Sequence, residues 1–294
     1  MSRTEIGQSA VLGIRYMVIS AIGFSLMAVC VKAVSNSGIP LFEIIAARAL
    51  ISLSLSYVLV SKKGISIWGN NKFLLACRGI VGALALICVY GALTVLPLAE
   101  ATIIQNVTPI ITSVMAFLFL KEKVHTSTMI SLLLSVIGVV VIVKPDLFMA
   151  PDAMDLPIVG VVIALIGALG SSIAYTIVRK LSGTEDPSVI VFYFPLFALP
   201  VSLVLLGSDF VMPNLYQFVL LVLVGVLTQV GQVYLTKAMK VGSASKTMVY
   251  SYLQVVFAIV FGVLFFDEIP TWTTLLGTVF IIGGALLNLF KRPA

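Results

Sequence analysis

Apolar residues run along this chain in long blocks, and polar residues, Pro and Gly are gathered into the short gaps between them. The pattern predicts ten helical spans, at 14–34, 41–60, 73–95, 98–120, 126–143, 157–178, 188–206, 214–236, 243–266 and 271–290. These approach or exceed the ~20 apolar residues that a helix needs to cross a bilayer, and are far longer than the ~10 of a barrel strand. In lipid a helix satisfies its backbone polar groups within one segment, so helices are the reading these blocks allow. The predicted fold class is an all-α integral membrane protein with ten transmembrane helices. No small-residue cleavage site follows the first block, which closes on Lys32 and Asn36 and reads as an uncleaved helix.

The pattern also repeats. Residues 92–144 and the stretch from Ala238 onward align without a gap at a shift of 146. Ala92 falls on Ala238, Phe119 on Phe265, Glu122 on Glu268 and Gly138 on Gly284. Upstream, Gly23-Phe24-Ser25 resembles Gly170-Ser171-Ser172, and Lys32 and Arg179 each close the first helix of their half. So long a period marks a duplicated half rather than a solenoid repeat. The halves are 1–146 and 147–294, five spans each.

Charge then orients the spans. Bases follow the even-numbered spans: Lys62, Lys63 and Lys72; Lys121 and Lys123; Arg179 and Lys180; Lys237 and Lys240; Lys291 and Arg292. The odd-numbered exits are poor in bases, and Asp267-Glu268 is purely acidic. The positive-inside rule makes the even exits, and both termini, cytoplasmic. Five is an odd number, so the second half enters the membrane upside down. Inverted-topology repeats recur in secondary transporters, with the substrate near the midplane.

Composition agrees: hydrophobic residues are 60% and charged residues 10%, against ~25% charged in a soluble domain. The net charge of +6 sits in loops and termini and gives no reason to expect nucleic acid. Cys30, Cys77 and Cys88 lie inside apolar spans with no metal or disulfide spacing. The chain has one histidine, His125 in a gap, and no HExxH, P-loop or Ser-His-Asp set, so neither an enzyme nor a cofactor is expected.

Several stretches together resemble the drug/metabolite transporter superfamily, specifically its EamA-type ten-helix members. They are LFEIIAARALIS with Glu43 and Arg48, residues 92–122 with Pro109 and the closing FLFLKE, and SYLQVVFAIVFGVLFFDE closed by Glu268. Gly138 and the 277–284 stretch fit as well. The resemblance implies alternating access through a cavity lined by spans 1, 3, 4, 6, 8 and 9, with spans 5 and 10 at a peripheral or dimeric surface. One departure is Val255 at the repeat position of Pro109, so a proline-dependent kink belongs to one half only.

Ionisable groups within a bilayer are costly, ~3 kcal/mol on insertion scales, and are functional candidates for that reason. Glu43 and Arg48 sit about 140° apart around one helix, so they do not pair with each other. Glu100 and its repeat mate Lys246 read either as opposite gates or as interfacial groups at helix N-termini. Those four are the gating or coupling candidates. Arg78 reads as an inner-face anchor. Candidates for the cavity are Tyr90, Gln105, Asn106, Tyr175, Gln229, Gln232, Tyr250 and Gln254, since a buried amide or phenol needs a partner that water or substrate supplies. Interhelical hydrogen bonding and aromatic packing are the competing roles. Trp68 and Trp272 read as interface anchors.

The resulting expectation is a secondary transporter in a cytoplasmic (inner) membrane. It moves a small polar or amphipathic metabolite (an amino acid, vitamin or nucleoside-like compound), and the resemblance leans toward efflux. A homodimer is compatible with it. The alternative is a non-transporting membrane scaffold or receptor, which predicts no saturable flux.

Overall fold

The computed structural model describes residues 3–121, 126–143, 156–241 and 249–290. Every regular element among them is helical. They are α1 (Arg3–Asn36), α2 (Leu41–Lys62), α3 (Lys72–Val95), α4 (Leu98–Gln105), α5 (Thr108–Leu120), α6 (Thr126–Val143), α7 (Ile158–Leu181), α8 (Pro187–Leu206) and α9 (Leu215–Val241). A 3-10 turn (Val249–Tyr252), α10 (Leu253–Phe266) and α11 (Trp272–Phe290) follow.

Seven helical stretches are long and apolar enough to cross a membrane: Leu12–Asn36, α2, α3, the α4–α5 pair, α7, α8 and α9. The other three expected blocks hold shorter helices: α6 of 18 residues, and the apolar stretches Tyr250–Phe266 and Trp272–Gly284. The outward faces are apolar, with Phe73, Leu84, Leu133, Val204 and Phe265 exposed, while Ser20, Ser52, Thr112, Ser172 and Thr228 are buried. Polar inside and greasy outside is the arrangement expected where the surrounding medium is lipid.

Short polar residues start α3, α8 and α9. Asn71 caps α3 by accepting from Leu74 N–H at 3.1 Å. Asp186 caps α8 by accepting from Ser188 N–H at 2.8 Å. Asn214 and Gln217 exchange side-chain and backbone bonds at the start of α9, at 2.9 and 2.8 Å, a reciprocal capping box.

Packing follows the repeat. α1 lies against α9 and α3 against α7; α2 meets α8, and α6 meets α11. Exchanging the first half's helices for the second's leaves these pairings unchanged. Small residues allow the closest approaches. A Cβ on Gly23 would sit 3.2 Å from Gly231 N, and Ser20 Oγ donates to Gly231 O at 2.8 Å across the same crossing.

The fourth span differs from the continuous helix expected over 98–120. It breaks at Asn106-Val107, and Pro109 lies in the first turn of α5. Proline has no N–H for the Gln105 carbonyl, and Thr108 Oγ1 donates to that carbonyl at 2.6 Å instead. The repeat position of Asn106 is Tyr252 (106 + 146 = 252), where the 3-10 turn gives way to α10. Both halves are thus irregular at the same place, although only one has the proline. The two spans also end alike. Lys121 and Asp267 (121 + 146 = 267) are left-handed, at φ 54° and 53°, and no other described non-glycine residue has positive φ. A left-handed L-residue costs roughly 1–2 kcal/mol. At Asp267 this turn sets Glu268 back against the bundle, where its N–H donates to Gly262 O at 3.1 Å.

Candidate functional site

Midway along the helices, residues of α1–α4 and α7–α10 enclose a cavity of about 130 Å³, room for several waters. Met27, Leu86, Val89 and Leu93 form an apolar wall; Arg48, Arg78, Gln105, Asn106, Tyr175, Gln232 and Gln254 add polar groups. Among the described residues, no Asp or Glu lines it.

The two arginines dominate its electrostatics. Each is 2% exposed. Arg48 donates from Nε to Thr228 Oγ1 at 3.0 Å, and its guanidinium lies over the rings of Tyr90 (5.2 Å) and Phe194 (4.7 Å). Arg78 donates from Nη2 to Gln232 Oε1 at 3.2 Å and lies over the same Phe194 ring at 5.0 Å. Gly82 makes room for this: a Cβ there would overlap Arg78 Nη1 and come within 2.7 Å of the Phe194 ring. Among the described residues, Arg48 Nη1, Arg78 Nε and Arg78 Nη1 have no hydrogen-bond partner, and neither does Gln105 Oε1. The Gln105 amide nitrogen donates to Ser171 Oγ at 3.2 Å, and Ser172 Oγ donates to Thr108 O at 3.1 Å. Those bonds fasten the break in the fourth span to α7.

Of the residues predicted for the cavity, Tyr90, Gln105, Asn106, Tyr175, Gln232 and Gln254 line it. Arg48, expected to serve gating or coupling, lines it too. Gln229 lies outside the lining and donates to Ser56 Oγ at 2.8 Å, between α9 and α2. Tyr250 packs against the apolar core outside the lining. Glu43 accepts from Val211 N–H at 2.9 Å, at the end of the bundle where α2 begins. Glu100 accepts from Thr274 Oγ1 at 2.8 Å and lines a second cavity of about 330 Å³ with Asp267 and Glu268. Lys246 lies outside the described residues, as do Glu122 and His125.

Arg78 corrects the anchor reading: it is buried in the cavity wall, because it points at Gln232 and Phe194 past a glycine rather than toward an interface. The adjacent Gly79 and Gly82 were the legible signal. Sequence reasoning also missed a largely buried ion pair at the α1 exit, between Lys32 Nζ and Oε1 of the partly exposed Glu268. Lys32 donates further to Leu96 O at 3.0 Å. The other Glu268 oxygen accepts from Leu98 N–H at 2.7 Å. Leu98 opens α4, whose N-cap Pro97 supplies no side-chain acceptor. Glu268 therefore caps α4 from across the bundle, at the helix end that favours negative charge.

The opposite end is held more loosely. Lys63 pairs with Asp186 at 2.7 Å, both partly exposed. Burial alone would raise the Asp186 carboxyl, but Lys63 and Ser188 outweigh it and hold it below the ordinary carboxylate value. Glu185 accepts from the backbone N–H groups of Asn70 and Asn71, both at 2.8 Å. Arg179 donates to Met239 O at 2.8 Å.

Apolar helices around a central cavity that carries buried polar groups, with ion pairs at both ends, define a multi-pass membrane protein built to handle a small molecule. The EamA-like transporter family matches residues 11–144 and again 158–290, and the chain belongs to that family. It is a membrane transporter, not an enzyme. It is 35% identical over 271 residues to the pseudopaline exporter CntI of Pseudomonas aeruginosa (strain UCBPP-PA14), covering 92% of this chain and 93% of the relative. Solute carrier family 35 member G1 of Mus musculus is 30% identical over 286 residues, 94% of this chain and 75% of that protein. A solved crystal structure shares the fold at a TM-score of 0.66 and 17% identity, covering 97% of this chain and 96% of the other.

Proposed function

We propose that the chain is a ten-span secondary transporter whose halves, 1–146 and 147–294, lie in opposite orientations and open the shared cavity to one face at a time. The observation that carries this reading is a cavity lined by helices of both halves beneath an ion pair that joins them at one end. Lys32 belongs to the first half and Glu268 to the second, so this latch must part before the halves separate there. The repeat puts Arg179 and Glu122 at the corresponding positions of the other end. The distribution of bases turns the Lys63–Asp186 end and both termini toward the cytoplasm of an inner membrane. Export is the favoured direction, because the pseudopaline exporter shares a third of this sequence across nearly its whole length. Tyr90, Gln105, Asn106, Tyr175, Gln232 and Gln254 hold a small polar or amphipathic metabolite.

The test is counterflow in proteoliposomes with pseudopaline, amino acids, vitamins, nucleosides and dicarboxylates. A second arm joins Lys32→Cys to Glu268→Cys with a short bifunctional thiol reagent, after Cys30, Cys77 and Cys88 are replaced by alanine. Saturable exchange of one compound, stopped by the crosslink, is the expected result. No exchange across the panel by folded protein would favour a scaffold or receptor instead.

A further inference from the structure

We infer that the central cavity recognises a small organic anion carrying two carboxylates, with Arg48 and Arg78 as its paired ligands; this rests on the transporter reading above. Both guanidiniums are buried at mid-helix, where an unpaired charge is expensive. The ion pairs among the described residues, Lys32–Glu268 and Lys63–Asp186, involve neither of them. Aromatic faces soften the cost but cannot accept three further N–H groups in hydrogen-bond geometry. Those groups, Arg48 Nη1 with Arg78 Nε and Nη1, remain unpartnered in the cavity wall. A structural role for either arginine is met by the one bond it gives to α9, which a neutral amide could make. The surplus donors and the surplus positive charge call for an anion, and guanidinium matches carboxylate in a two-pronged geometry.

Spacing argues for two carboxylates. The anchors Thr228 and Gln232 are one turn apart on α9, ~6 Å. Both guanidiniums lie against the one Phe194 ring, at 4.7 and 5.0 Å from its centroid, so they are no more than 9.7 Å apart (4.7 + 5.0). Two carboxylates on a short carbon linker fit that separation, and the apolar wall formed by Met27 and Leu86 takes the linker. Gln105 Oε1, the unpartnered acceptor, suits an N–H or O–H carried on it.

The experiment measures ligand binding and thermal stabilisation of the full chain in nanodiscs at neutral pH. The probes are succinate, glutarate and adipate, the neutral diamide glutaramide, the monocarboxylate butyrate, and glycerol 3-phosphate. At least one dicarboxylate is expected to bind and stabilise, glutaramide to do neither, and butyrate to bind at least about tenfold more weakly. Arg48→Gln or Arg78→Gln should weaken the dicarboxylate at least about tenfold, and the lysine variants should recover part of the loss, since charge returns without the fork. The wild-type comparison of dicarboxylate with diamide needs no variant to fold. The inference is overturned if no dicarboxylate binds, if glutaramide binds as well, if only the phosphate ester binds, or if binding survives both glutamine substitutions. Dicarboxylate binding without counterflow would sink the carrier reading and leave the anion site. Counterflow of a neutral solute without a dicarboxylate response would do the reverse.

Discussion

The molecule buries positive charge in two places and treats it differently. At the α1 exit, Lys32 has a carboxylate, a carbonyl and the Phe266 ring (5.5 Å) around it. At the central cavity, Arg48 and Arg78 have aromatic faces, one hydroxyl and one amide, and no carboxylate among the described residues. A buried charge with its full complement of partners holds a structure together; a buried charge with surplus donors is suited to binding an anion. The contrast separates a latch from a binding site within one bundle, although each is built from a cation on a first-half helix.

Substitutions at the latch break the comparison most sharply. Glu268→Gln leaves the buried Lys32 beside a neutral amide; losing one partner of a fully buried pair costs roughly 3–5 kcal/mol, and the partial exposure of Glu268 lowers that figure here. A large drop in melting temperature is expected, with much of it restored in Lys32→Met/Glu268→Gln, which removes the stranded charge. Gly82→Ala acts on the other side. Its methyl displaces Arg78 Nη1 and crowds Phe194, an overpacking worth about 1–3 kcal/mol, so both melting temperature and dicarboxylate affinity should fall.

The smallest effect belongs to the loosely held end. Asp186 has a depressed pKa, so its pairing stabilises fully at neutral pH, fades as pH falls below the unfolded value of about 3.9, and is lost through the lower folded value. An exposed pair contributes at most about 1 kcal/mol. Melting curves of wild type and Asp186→Asn should differ slightly at pH 7 and converge as pH falls through the lowered folded-state value of Asp186.

Much of the fold was legible because lipid imposes a simple rule: apolar blocks of the right length with charge in the gaps. Positions 92–144 exposed the duplication, since Glu122 and Glu268 stand at matching points of two apolar runs. The break in the fourth span was only half legible. Pro109 signalled it, but the matching irregularity at Tyr252 has no proline to mark it. The cavity residues Gln105, Asn106 and Gln232 stood out as amides in apolar helices. Arg78 did not, because its distance from the start of α3 says nothing about which way its side chain turns. The Lys32–Glu268 pair is a contact between the first and ninth predicted spans, and no local pattern encodes it.

The most direct measurement is the melting temperature of ligand-free Glu268→Gln and Arg78→Gln beside wild type, in the same nanodiscs. Glu268→Gln should melt several degrees below wild type. Arg78→Gln should melt at or above it, since it removes a charge that the empty protein leaves uncompensated. If both melted equally far below wild type, Arg78 would be a structural rivet like Lys32, and the distinction between latch and binding site would fail.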